Sequence, residues 1–323
     1  MNETQHMGVE APENQMGSRS AAGENFKVVG YYPCWVPDCL DKVDFGVITH
    51  VNYAFVIPTE EGGLLPLRNP QTARELIRRA HSHGAKAMIV VGGWDYLDIP
   101  LEQTFVKATD TPEKRKKLAD QIMNVCMEFG FDGVDLDWEH PRVGTASAGQ
   151  YEALMLDLSR RLHSQGLLLT CAVHAGALPQ GGILPDAAAQ SDAVLEACDW
   201  INIMAYDGGE GADHSTYAFA VACAEYWQGT RGLSPRKVVL GVPFYARPSW
   251  EAYDRILQRD PEAFGRDVTV CSGVESFYNG IPTIQEKARY AKAHLGGIMI
   301  WELSQDSLDP EKSLLAAIGR VVY

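Results

Sequence analysis

Eight short apolar runs rich in Val and Ile punctuate this chain, at 28–33, 47–56, 86–93, 133–139, 167–174, 200–207, 238–246 and 296–303. Between most of them lie segments patterned as helices, notably 71–83, 112–129, 148–164 and 282–294. A strand that is apolar along its whole length must be covered on both faces, the condition met by a parallel sheet under crossover helices. Eight repeats of that unit select a closed barrel over an open doubly wound sheet. No G-x-G-x-x-G turn follows the first run, which weighs further against a dinucleotide-binding sheet. The expected fold class is therefore α/β, a (β/α)8 TIM barrel forming one domain over residues 26–323. The gap from residue 28 to residue 47 leaves little room for a full helix. The gap after the seventh run leaves a surplus between Arg247 and Pro282, read as a short elaboration of the rim.

Residues 1–25 have neither a basic start nor an apolar stretch, so as written they are no secretory signal; they read as a mobile tail or as residues foreign to the native chain. No apolar run approaches the roughly 20 residues of a membrane helix. Forty-two acids against 28 Lys plus Arg give a formal charge of −14. That field repels phosphate backbones and anionic lipid alike, which disfavours nucleic-acid and membrane partners. The seven cysteines are dispersed without zinc-site spacing, and a reduced chain is the preferred reading, although Cys34 and Cys39 are close enough in sequence to bridge. No metal or cofactor is called for.

The most informative stretch is Asp132-Gly133-Val134-Asp135-Leu136-Asp137-Trp138-Glu139. Side chains alternate along a strand, so Asp135, Asp137 and Glu139 share one face and Val134, Leu136 and Trp138 the other. The apolar set suits packing under helices. The acids then line the barrel interior and rise toward the C-terminal end, where barrel enzymes keep their chemistry. Carboxyls stacked in an enclosed space cannot all ionise, so at least one pKa is pushed upward. Glu139, the outermost, is the candidate proton donor; Asp137 is placed to orient a substrate group, and Asp135 to hold or share its proton.

This stretch resembles the D-G-x-D-x-D-W-E signature of glycoside hydrolase family 18, the chitinase family. Further similarities fall at Gly30-Tyr31-Tyr32, Asn52-Tyr53-Ala54-Phe55, Gly92-Gly93-Trp94, Met204-Ala205-Tyr206-Asp207, Pro243-Phe244-Tyr245 and the run from Gly297 to Leu303. The resemblance implies retaining hydrolysis of β-1,4-linked N-acetylglucosamine polymers in which the substrate's own acetamido oxygen attacks, an exception to the two-carboxylate scheme. It implies that Glu139 is acid and then base, that Asp137 holds the acetamido N–H with support from Asp135, and that Tyr206 bonds the acetamido oxygen. Met204 and Asp207 line that subsite, and Trp301 is the indole beneath the distorted sugar. One departure stands out: Val90 replaces the serine of the family's Ser-x-Gly-Gly, removing a hydroxyl that could support Asp135. The family's larger insertion after the seventh strand is also absent, which implies a shallower cleft and endo cutting.

Tyr32, Phe55 and Tyr245 are read as cleft lining, and Trp35 and Trp94 either as sugar-stacking or as rim packing. Trp138 is read as packing, and His174 as a structural histidine rather than a substrate contact. The expected partner is chitin or a chitooligosaccharide, with the chain a monomer or a component of a larger assembly. A polymeric substrate favours secretion; the missing signal and odd cysteine count favour the cytoplasm. The rivals are an endo-β-N-acetylglucosaminidase acting on N-glycans or peptidoglycan, and a non-catalytic chitin-binding lectin.

Overall fold

The computed structural model describes residues 26–323; the reading of residues 1–25 lies outside them. Eight parallel strands close into a barrel: β1 (Lys27–Pro33), β2 (His50–Val56), β3 (Lys86–Gly93), β4 (Gly133–Trp138), β5 (Leu168–Val173), β6 (Trp200–Ile203), β7 (Val238–Pro243) and β8 (Gly297–Trp301). Their order around the barrel is their order in the chain, with β8 closing against β1. The expected α/β class and the positions of all eight strands hold.

Nine helices flank the strands among the described residues: α1 (Pro70–Ser82), α2 (Leu101–Ala108), α3 (Pro112–Phe129), α4 (Ala146–Ser164), α5 (Asp192–Ala197), α6 (Tyr217–Glu225), α7 (Tyr253–Arg259), α8 (Ile281–His294) and α9 (Leu314–Val322). Local signals set the ends of α3. Thr111 caps it by accepting a hydrogen bond from the Lys114 amide at 3.2 Å, and Gly130 ends it at φ 80°, in the left-handed region that glycine enters without a Cβ penalty. After β1 there is only a short 3-10 turn, Pro37–Lys42, as the narrow gap required. The surplus after β7 holds α7 and a two-stranded hairpin, Val268–Cys271 with Val274–Phe277. Both are rim elements.

The core has two compartments because each strand has two faces. Outside the barrel, Trp138 stacks on Phe105 of α2 with ring centroids 4.7 Å apart and meets Tyr151 of α4 edge-on at 5.8 Å. Inside, Val29, Tyr31, Ala54, Val90, Trp200, Val239 and Met299 form a smaller cluster below the barrel mouth. Register places Asp135 level with Val90 of β3 and with Thr170 of β5. All seven cysteines are free thiols, and all but Cys271 are buried. Among the described residues no helix is long and apolar enough to cross a membrane.

Candidate active site

The acid ladder begins below the cleft floor. Asp135 is fully buried and receives three hydrogen bonds from three strands: Tyr31 Oη of β1 at 2.6 Å, Asn202 Nδ2 of β6 at 2.9 Å, and Thr170 Oγ1 of β5. Asn202 is itself oriented by Trp200 Nε1, which donates to its Oδ1 at 3.1 Å. The hydroxyl missing at Val90 on one side of Asp135 is thus supplied by Thr170 on the other. Burial raises the Asp135 pKa, and the three donors act against it without cancelling it. Thr170→Val removes one donor to a buried carboxyl and is expected to cost about 1–3 kcal/mol, read by urea unfolding near neutral pH. A negligible change would remove Thr170 from the support of Asp135.

One rung higher, Asp137 is buried and lines the cleft, and its Oδ1 has no hydrogen-bond partner. Burial, then the charges of Glu139 and Asp135, push its pKa well above the ordinary value. Glu139 follows the last residue of β4 and opens on the cleft with its side chain 15% exposed. Burial first, and the charge of Asp207 second, push Glu139 up to about 7. A carboxyl poised there keeps a large protonated fraction at neutral pH and can still release the proton, as a general acid must.

The cleft has a volume of about 810 Å³ and opens at the C-terminal ends of the strands. Trp301 at the end of β8 lines it, stacked beside Phe55 at 5.7 Å and meeting Tyr31 edge-on at 5.5 Å. Trp35 extends the stack by lying against Phe55 at 5.9 Å, while Trp94 stands 62% exposed on the β3 side. Beyond β6, Asp207 accepts Tyr245 Oη at 2.7 Å and lies within 3.1 Å of His214 Nδ1 and 3.4 Å of Arg247 Nη1. Burial would raise Asp207, but the hydrogen bonds from His214 and Tyr245, with Arg247, outweigh it and leave its pKa lowered.

Glu139, Asp137, Tyr206, Met204, Asp207, Phe55, Trp94, Tyr245 and Trp301 all line this one cleft. Tyr32 does not. It is buried on the helix side of β1, stacked on Tyr53 at 5.8 Å, with its hydroxyl donating to the Pro37 carbonyl at 2.9 Å. Strand alternation gives the inward place to its neighbour Tyr31 instead. His174, read as structural, lines the cleft, with its ring stacked on His140 at a centroid distance of 3.4 Å. Sequence reasoning also missed Trp250, 60% exposed in the elaboration, stacked on Tyr245 at 5.5 Å and covered by the Arg247 guanidinium at 3.8 Å. Among the described residues no group of three or more His, Cys, Asp or Glu side chains could hold a metal ion.

Fold and site together define the class: a (β/α)8 barrel whose fourth strand carries a rising column of acids into an aromatic-walled cleft. The model of glycosyl hydrolases family 18 matches residues 27–306, and the chain belongs to that family. A chitinase-like effector of Moniliophthora roreri is 29% identical over 238 residues, covering 67% of this chain and 57% of that protein. A probable chitinase 10 of Drosophila melanogaster is 24% identical over 377 residues, covering 92% of this chain and 16% of that protein. The chain therefore spans less than two thirds of either relative's length. A solved family 18 chitinase from the chitin utilization locus of Flavobacterium johnsoniae matches with a TM-score of 0.77 and 27% identity, covering 92% of this chain and 94% of that one.

Proposed function

We propose that the chain is a retaining, endo-acting chitinase that cleaves β-1,4-linked N-acetylglucosamine chains with the substrate's acetamido group as nucleophile. The observation that carries this reading is the vertical order of the acids: a hydrogen-bonded Asp135 below, Asp137 with a buried unpartnered oxygen above it, and Glu139 at the mouth with its pKa near neutrality. In the first step the Glu139 proton passes to the glycosidic oxygen and the C1–O bond breaks. The acetamido carbonyl oxygen of the same sugar bonds to C1, giving a cyclic oxazolinium whose N–H is held by Asp137. In the second step Glu139 takes a proton from water, whose oxygen attacks C1 and reopens the ring. Two inversions leave the β configuration. Tyr206 bonds the acetamido oxygen, Met204 and Asp207 line the same subsite, and Trp301 offers a flat π face to the sugar's C–H face. Phe55, Trp94 and Tyr245 extend the contact along the chain.

The reading is tested by following chitotetraose hydrolysis with proton NMR and by offering a matched oligomer without N-acetyl groups. The acetylated oligomer should give β-anomeric products first, and the free-amine oligomer should not be cleaved. Primary α-anomer, or equal cleavage of both, would remove the substrate-assisted route. Longer oligomers should be cut internally; successive release of dimers would overturn the endo assignment. The description of the Moniliophthora roreri relative as a chitinase-like effector favours a second reading, sugar binding without cleavage. That reading expects no products from any oligomer.

A further inference from the structure

His140 has no task in this chemistry, yet it lines the same cleft and its Nε2 lies 3.5 Å from Glu139 Oε2. Its side chain is 13% exposed, and its Nδ1 is buried with no hydrogen-bond partner. One ring face is covered by His174, with planes 23° from parallel. A neutral imidazole carries a single N–H, on one nitrogen or the other. On Nδ1 that proton would be a buried donor without an acceptor, the rarer and costlier kind of orphan. On Nε2 the nearest acceptor is a carboxyl oxygen, 3.5 Å away. The surroundings therefore favour the Nε2–H tautomer. A second proton is also resisted: burial, with His174 and Arg142 adding to it, holds the His140 pKa down to about 2. Burial thus keeps the ring neutral, with Nε2 the better place for its one proton.

We infer that His140 is a positioning residue for Glu139: its Nε2–H donates to Glu139 Oε2, fixes the carboxyl, and favours the ionised form that exists once the proton has gone to the leaving group. This rests on the assignment of Glu139 as acid and base. The 3.5 Å separation exceeds the usual N–H···O range of about 2.7–3.2 Å, so the bond forms on a side-chain movement of a few tenths of an ångström. Other groups act on the pair. Asp135 and Asp137 belong to β4, and Tyr206 and Asp207 follow β6, with Asp207 held by His214, Tyr245 and Arg247. His174 and Asp186 follow β5, Arg142 is paired with Glu102, and Asp95 lies at the β3 rim. All of these persist when His140 alone is changed.

His140→Phe keeps a flat ring against His174 and removes the donor. A hydrogen bond to the charged form lowers a carboxyl pKa, so its loss should raise that of Glu139, by about 0.5–1 unit. The Glu139 carboxyl is titrated directly by carbon-13 NMR in the wild type, His140→Phe, His140→Ala and His140→Gln, alongside the pH profile of kcat/KM on a fluorogenic chitobioside. The expected result is an upward move of the titration and of the alkaline limb in the phenylalanine and alanine variants, with the glutamine amide bringing both back toward wild type. No movement, or a downward one as expected if His140 accepts from protonated Glu139, overturns the inference. Should either apolar variant fail to fold, the other decides. If the wild type cleaves nothing, the acid/base assignment falls on that result alone, and the NMR titration still decides whether His140 holds Glu139.

Discussion

Glu139→Gln is expected to slow hydrolysis by orders of magnitude while leaving substrate binding in place. The amide fills the space of the carboxyl but can neither deliver a proton to the glycosidic oxygen nor take one from water. Positioned proton transfer contributes about 10²–10⁴-fold, and here one residue serves both steps. The loss should depend on the leaving group. A fluorogenic aryl chitobioside expels a stabilised anion and needs little acid help, so its loss should sit near the lower end of that range. An unmodified chitotetraose should lose about 10⁴-fold, the upper end of the same range. Dissociation constants from calorimetry should change little, because Glu139 is not required to hold the sugar. The wild-type pH profile carries the matching signature. Glu139 is pushed up to about 7, first by burial, and only its protonated form is the acid, so kcat/KM should decline as pH rises through that value. A glutamine variant keeping most of the wild-type rate on chitotetraose would end the assignment of Glu139.

Much of this site was legible because a strand's parity is simple: once 133–139 is extended, Asp135, Asp137 and Glu139 must face together, and Trp138 must turn to Phe105 and Tyr151. What parity cannot do is choose between adjacent residues when both are plausible. Tyr31 and Tyr32 are chemically alike, and only the pairing of Tyr31 with Asn52 and the reach of its hydroxyl to Asp135 across the barrel decide which faces inward. Thr170 and Asn202 did carry a signal, as polar residues inside otherwise apolar strands, where a buried polar group demands a partner. That the partner is Asp135 follows from closure of the barrel and has no local signature. Trp250 and Arg247 sit in an elaboration without periodicity, so nothing in the sequence brings them to Tyr245. His140 adjoins the acid in sequence, but its contact with Glu139 depends on how the chain leaves β4.

Asp137→Asn should make the protein more stable and much less active, and the two effects have one cause. Asp137 is buried, its Oδ1 has no partner, and two further acids share its column. Such an arrangement is costly in the free protein and useful only when a substrate N–H or a developing cation arrives. Asparagine keeps the shape and removes the charge, so kcat should fall by about 10²–10³, the scale of losing one preorganised electrostatic partner. The stability gain has a definite pH sign. Burial, then Glu139 and Asp135, raise the folded-state pKa of Asp137 above its unfolded value, so the folded protein binds more protons between those two values. Stability is therefore fully present below the unfolded pKa and declines as pH rises through the folded one. Asparagine does not titrate, so its advantage should be small near pH 4 and grow to about 0.5–2 kcal/mol at pH 8, the usual gain from relieving a costly functional position. Thermal unfolding at the two pH values reads it. An advantage that is constant with pH, or larger in acid, would mean that Asp137 is not held against its own charge.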